Sequence, residues 1–310
     1  FTTQIENVTK SAKSSSENLK GAIDKWIVGL TAVTAALVAA TAKFTQSTLQ
    51  IGGDFELSIV KLGGVAQASS EEMSMLEEKA RELGETLPIT ASQAAGAMYS
   101  LASAGAKVNE IMNAINATTQ LSISQNYDLG QSTDLMVATM RSFNMDFAEG
   151  MRVADVFNNT IRGSMMNMEK FSSAMVYVAK PAHDLGLSLE QTAAMMGVLA
   201  DSGMRGEQVG TAMRALFTAL MDLSDEGAAA LARLGVALTD SFGEMRDVTE
   251  VFEDLARSGM TAADALAIFD KRSFGAALTI TGNIDRLRSF TTEVSRTGTT
   301  SKLVGDQTRM

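Results

Sequence analysis

The 310-residue chain has no cysteine, one histidine, one tryptophan and two prolines, and aromatic residues make up only 5% of it. Without thiols, disulfides and thiolate metal sites are excluded, and the redox compartment is left open. His183 stands alone between Pro181 and Asp184. A single imidazole builds no multi-histidine metal site, and with no partner motif it joins no triad. No cofactor, metal or catalytic residue is therefore expected. An excess of positive charge is missing too: the net charge is −10, and beyond residue 42 there are 22 bases against 33 acids. That balance lacks the basic footprint of specific nucleic-acid binding and discourages sticking to a nucleic acid passing nearby.

Two patterns resemble chemistry and fall short of it. Gly203, Gly206 and Gly210 lack the GK[ST] ending and the preceding strand of a phosphate cradle, and the 206/210 spacing suits close helix packing instead. Asp222, Asp225 and Glu226 lack the alternating ligands of a calcium loop and read as a helix boundary. The pairs Glu71-Glu72 and Glu77-Glu78 read as solvated helix faces, so no general acid stands out and no enzyme is expected.

What the chain has is helix-forming composition, rich in Ala, Met, Leu, Glu and Gln, with 45% hydrophobic residues for a core. The twenty methionines suit gap-filling in a helical interior. An all-α fold is expected: a long N-terminal helix followed by a glycine-punctuated multi-helix globule. One phrase occurs twice, at Thr90–Gly105 (TASQAAGAMYSLASAG) and Ser188–Gly203 (SLEQTAAMMGVLADSG). Each opens with a hydroxyl residue three ahead of a glutamine, Gln93 or Gln191, which is capping-box spacing, and each ends on a glycine suited to a helix stop. Leu83-Gly84 and Leu185-Gly186 precede the two copies and extend the likeness to the end of the preceding helix. Two related halves, about 55–150 and 151–275, follow from this pattern, although common helix formers also produce such echoes by chance.

Further boundaries come from local signals. Ser70-Glu71-Glu72 opens a helix closing at Gly84, and Asp128 with Gln131 opens one running to Phe143. Helices are expected near 147–162 and 168–180, the second ended by Pro181. Later helices run Glu207–Met221, Asp225–Leu234 with a stop at Gly235, Val248–Arg257 with a stop at Gly259, and Ala262–Lys271 capped by Thr261. A last helical stretch near 276–297 leads into a polar linker.

Residues 1–51 differ from the rest. Trp26–Ala42 (WIVGLTAVTAALVAATA) carries no charge between Lys25 and Lys43. As a secretory signal its polar leader is too long, and as a membrane span it is short and diluted by Ala, Thr and Gly. The 4-3 spacing of Leu19, Ile23, Trp26, Leu30, Val33, Leu37, Ala40 and Phe44 favours a self-associating seam in a parallel bundle. Gly52-Gly53 then reads as a hinge interrupting the helix. The domain plan is thus 1–51, 54–275 and 276–310, with further sequence expected on at least one side.

The ordered succession ASQAAGAMYSLASAG, DLGQSTDLMVATMRSFNM, LGLSLEQTAAMMGVLADSGMRGEQVGTAMRALFTAL and ARLGVALTDSFGEMRDV resembles the core region of phage tail tape-measure proteins over roughly Phe55–Gly275. The Met-rich segment Ser164–Met168 departs mildly from that pattern. The resemblance implies a structural virion protein in the tail interior, made in the host cytoplasm, that sets tail length during assembly and leaves ahead of DNA. Its implied partners are further copies of itself, the tail tube, tail-tip or baseplate proteins and assembly chaperones. The alternative is a channel component that enters the host inner membrane through residues 26–42.

Overall fold

The computed structural model describes residues 46–307, with side chains from 55 onward. The chain divides into two units between Asp54 and Phe55. Among the described residues there are fifteen α-helices and no strand. Leu19, Ile23, Trp26, Leu30, Val33, Leu37, Ala40 and Phe44 lie outside the described residues, as does all of Trp26–Ala42.

Helix α1, Gln46–Ala66, is continuous through Gly52 and Gly53, so the expected interruption is not there. A glycine inside a helix costs only about 1 kcal/mol relative to alanine, which neighbouring helix formers absorb. Phe55, Ile59 and Leu62 bury one side of the second unit's part of this helix. Helix α2, Ser70–Thr86, begins at a Ser69–Glu72 capping box, one residue earlier than the pattern suggested. It also runs past Gly84, because that glycine is a contact and not a stop: a Cβ there would lie 2.7 Å from the backbone nitrogen of Ala91.

The two related phrases form α3, Ala91–Ser103, and α8, Leu189–Asp201, each 13 residues long. Both start with a full capping box, Thr90 with Gln93 and Ser188 with Gln191. Both are followed by a left-handed glycine, Gly105 at φ +86° and Gly203 at φ +92°. Their surroundings differ. Helix α2 packs on α3 directly, whereas the helix before α8 packs mainly on the one after it. The Leu-Gly likeness fails as well, since Gly84 is inside its helix and Gly186 is left-handed at φ +78°.

Helices α4, Val108–Gln125, and α5, Leu129–Ser142, follow, then a 3-10 turn at Phe147–Glu149 and α6, Gly150–Gly163. Helix α7, Met168–Asp184, carries Pro181 inside its last turn instead of ending there. The effective stop is Gly186, where the Leu187 amide donates to the Ala182 carbonyl at 3.0 Å and the Gly186 amide to His183 at 2.9 Å. With the end so close, the proline sacrifices little of the ladder, and the glycine cap sets the boundary.

Helix α8 is the centre of the body, with 11 of its 13 residues buried. It is packed by α6, α7, α9 (Gly206–Met221), α13 (Phe274–Gly282) and α14 (Ile284–Val294). Between them run α10, Asp225–Leu234, α11, Val248–Arg257, and α12, which covers Ala262–Ile268 and stops short of Lys271 because Phe269 turns inward and is fully buried. One continuous core joins residues from Phe55 to Val294.

The polar tail is not a linker. It forms α15, Thr299–Gln307, and packs on α4 and α6. Asp155 of α6, only 3% exposed, receives the Gly298 amide at 2.7 Å, the Thr300 amide at 2.8 Å and the Thr299 hydroxyl at 3.0 Å. Asn159 donates to the carbonyls of Val294 and Arg296, and Asn158 to the Thr300 hydroxyl at 2.7 Å. A segment with little apolar side chain is thus held by hydrogen bonds, a contact invisible to hydrophobic pattern.

Candidate functional site

The strongest built features are sockets for close helix contact, and glycines make them. Gly206 and Gly210 of α9 face α7. A Cβ at Gly206 would lie 2.7 Å from the Lys170 Cα, and one at Gly210 would lie 2.9 Å from the Ala174 Cα. Two backbones meet there with no room for a side chain. Gly203, grouped with them from the sequence, has no atom within 4 Å of a would-be Cβ. It ends a helix by its left-handed geometry and is not a packing residue.

A second socket had no sequence signal. Gly163 of α6 and Gly197 of α8 both face the fully buried ring of Phe290 in α14, which occupies the space that their Cβ atoms would need. Arg286 lies over the same ring at 4.2 Å and donates to the Gly163 carbonyl at 2.7 Å, covering the plug. The two glycines are 34 positions apart and belong to no spaced motif, so only the folded arrangement brings them together.

The charged groups serve structure. Burial alone would push the Glu190 carboxyl up, yet bonds from the Arg152 guanidinium at 2.7 and 3.0 Å bring it below its ordinary value. Asp264 closes a capping box with Thr261. The Thr261 hydroxyl and amide, at 2.7 and 2.9 Å, together with the Arg233 guanidinium, lower its pKa to about 2. His183 sits in the last turn of α7 with its ring edge-on to Phe143, 6.1 Å between centroids. The Asp222–Gly227 run is a helix start in which Ser224 accepts from the Gly227 amide at 3.0 Å. Glu77 pairs with Arg81 at 2.7 Å on an exposed face, a contact of little energetic weight. Among the described residues no group of three or more His, Asp or Glu is placed to hold a metal ion. None of their helices is long and apolar enough to cross a membrane.

Residues 77–275 match the family described as phage-related minor tail protein. A tape measure protein of Pneumococcus phage Dp-1 is 33% identical over 233 residues, 74% of this chain. The chain belongs to the phage tail tape-measure family. A probable tape measure protein of Escherichia phage P2 is 29% identical over 237 residues, 72% of this chain. The chain spans 20% of the length of the first relative and 29% of the second. No solved structure matches it. The family match ends at Gly275, so the Phe290 plug on α14 and the strap α15 lie beyond the matched segment.

Proposed function

We propose that this chain is a non-enzymatic structural module of a tape-measure protein, housed in the tail lumen, and that the protein sets tail length and leaves before DNA passes. The observation that carries this reading is the family match across residues 77–275, supported by relatives named as tape measure proteins. A ruler needs a rod whose length follows residue number, about 1.5 Å per residue for a continuous helix. The body from Phe55 onward is folded into short helices, so its length in space does not scale with its sequence. The module is therefore an assembly and docking piece, and the measuring rod is some other part of the protein. Its partners in this reading are tail-tube, tail-tip or baseplate proteins and assembly chaperones, with copies bundled through Leu19, Ile23, Trp26, Leu30, Val33, Leu37, Ala40 and Phe44.

In-frame removal of residues 77–275 in a producing phage is the test. The reading expects loss of assembled tails rather than shorter ones. Tails of normal yield shortened in proportion to the deletion would make this segment the ruler and overturn it. The uncharged Trp26–Ala42 run keeps a second reading in play, a channel component in the host inner membrane during ejection. Liposome flotation of the chain against a version starting at Gly53 separates the two: equal flotation ends the membrane reading.

A further inference from the structure

Helix α1 is apolar on two faces, and the body uses one of them. Phe55, Ile59 and Leu62 are buried in the core, whereas Val60 is 65% exposed and Leu57 49%, one turn apart on the other side of the same helix. Gly64, a turn beyond Val60, extends that stripe and is exposed as well. A glycine inside a helix costs stability, so it needs a reason. Gly63 has one, because the Met73 side chain fills the space its Cβ would take, but a Cβ on Gly64 would meet no atom within 4 Å. Nothing in its own body asks for a glycine there. Leu57, Val60 and Gly64 keep the 3-4 spacing of a coiled-coil seam, with the glycine where two backbones can approach closely.

The charges beside the stripe say what covers it. Glu56 and Lys61 are the only charged residues of α1 from Phe55 to Ala66, one on each flank of the stripe, and both are exposed. Neither side chain makes a hydrogen bond or ion pair. They do not reach each other either, since a separation of five positions sets them on opposite sides of the stripe. In a heptad with Leu57 at a and Val60 at d, Glu56 takes position g and Lys61 the following e, the two positions that meet across parallel helices in register. A second copy of α1 therefore offers Lys61 to Glu56 and Glu56 to Lys61. An antiparallel copy would set the Glu56 flanks together and the Lys61 flanks together. Asp54 takes the preceding e position, whose counterpart in a parallel copy, Leu49, carries no charge.

We infer that the outer face of α1 is a self-association surface of the folded body, on which two copies pack in parallel through Leu57, Val60 and Gly64 with reciprocal Glu56–Lys61 ion pairs at the rim. This rests on the reading of the chain as a component present in several copies. An apolar stripe with a charged rim is ordinary interface anatomy. The exposed ion pairs set direction and register more than affinity. Two turns of contact are weak alone and become effective when copies are already held near one another.

The absence of native cysteine makes the test clean. The full chain carrying Val60→Cys is oxidised, and its disulfide dimers are compared with those of Glu78→Cys, an exposed position on α2. The stripe variant should cross-link at least about tenfold more. Adding Glu56→Lys or Lys61→Glu to Val60→Cys should cut the yield to that of the control, and mixing the two chains should recover it as mixed dimers, resolved by a mass tag, because each then meets its opposite charge. Leu57→Asp should abolish it. All these positions are exposed, so circular dichroism should report unchanged folding. A yield no greater than the control, or charge variants that cross-link as well alone as mixed, overturns the inference. Light scattering separates this contact from the reading beneath it: an oligomer without the cross-link removes the α1 contact alone, and a chain that stays monomeric at every concentration removes both. Liposome flotation that Leu57→Asp abolishes, in a chain that gives no cross-link, would put a lipid surface on the stripe and overturn the inference as well.

Discussion

At the scale of single residues, glycines with no room beside them matter more than glycines with unusual backbone angles. Gly197→Ala places a methyl into the Phe290 ring, whereas Gly96→Ala in α3 meets nothing within 4 Å. Overpacking costs about 1–3 kcal/mol and a compatible glycine-to-alanine change gains about 0.4–1 kcal/mol. Urea unfolding should therefore move the two variants in opposite directions, down for Gly197→Ala and up for Gly96→Ala. Asp264 offers a pH test. Its folded pKa, lowered to about 2 from the ordinary 3.8 by the Thr261 hydroxyl and amide and by Arg233, contributes stability above the ordinary value that is lost as pH falls toward 2. The Tm advantage of the native chain over Asp264→Asn should hold from neutral pH down to about pH 4 and vanish near pH 2. An advantage that stays constant across that window would mean the carboxylate charge contributes nothing.

At the scale of elements, the caps were legible and the contacts were not. Thr90 with Gln93, Ser188 with Gln191, Gly235 and Gly259 all mark boundaries that local chemistry dictates, because a cap acts within a few residues of itself. Pro181 and Gly84 misled for the reason that a local signal states a preference, and tertiary surroundings decide whether it prevails. Phe290 meeting Gly163 and Gly197, and Asp155 meeting the 298–300 turn, join positions more than 90 residues apart, and no window along the sequence contains them. The Asp155 clamp carries its own expectation. Replacing it with alanine leaves the buried Thr300 amide without its acceptor, at about 1–3 kcal/mol for a buried unsatisfied group, and frees the exposed Gly298 amide to water. Hydrogen exchange in Asp155→Ala should speed up across residues 298–307 while α8 stays protected. Uniform acceleration over the whole body would show that α15 does not open independently.

At the scale of the whole molecule, the segment that matches the family and the folding unit do not coincide. The match covers residues 77–275, while the body runs from Phe55 and is closed over α8 by α14. A chain ending at Gly275 would leave the glycine socket unfilled and the Asp155 clamp empty. It should lose cooperative thermal unfolding, whereas one ending after Gln307 should keep it, as circular dichroism melts would report. One continuous core runs through both of the related halves expected from the repeated phrase: α4 packs on α6 and α5 on α7 across residue 150. In the proposed role the folded body is enclosed by the tail, and enclosure can be measured. Purified intact tails are treated with protease and digested peptides are followed by mass spectrometry. The account predicts that peptides from residues 55–307 resist cleavage until the tails are opened, then appear rapidly. Immediate cleavage in intact tails, or absence of the chain from them, would contradict it.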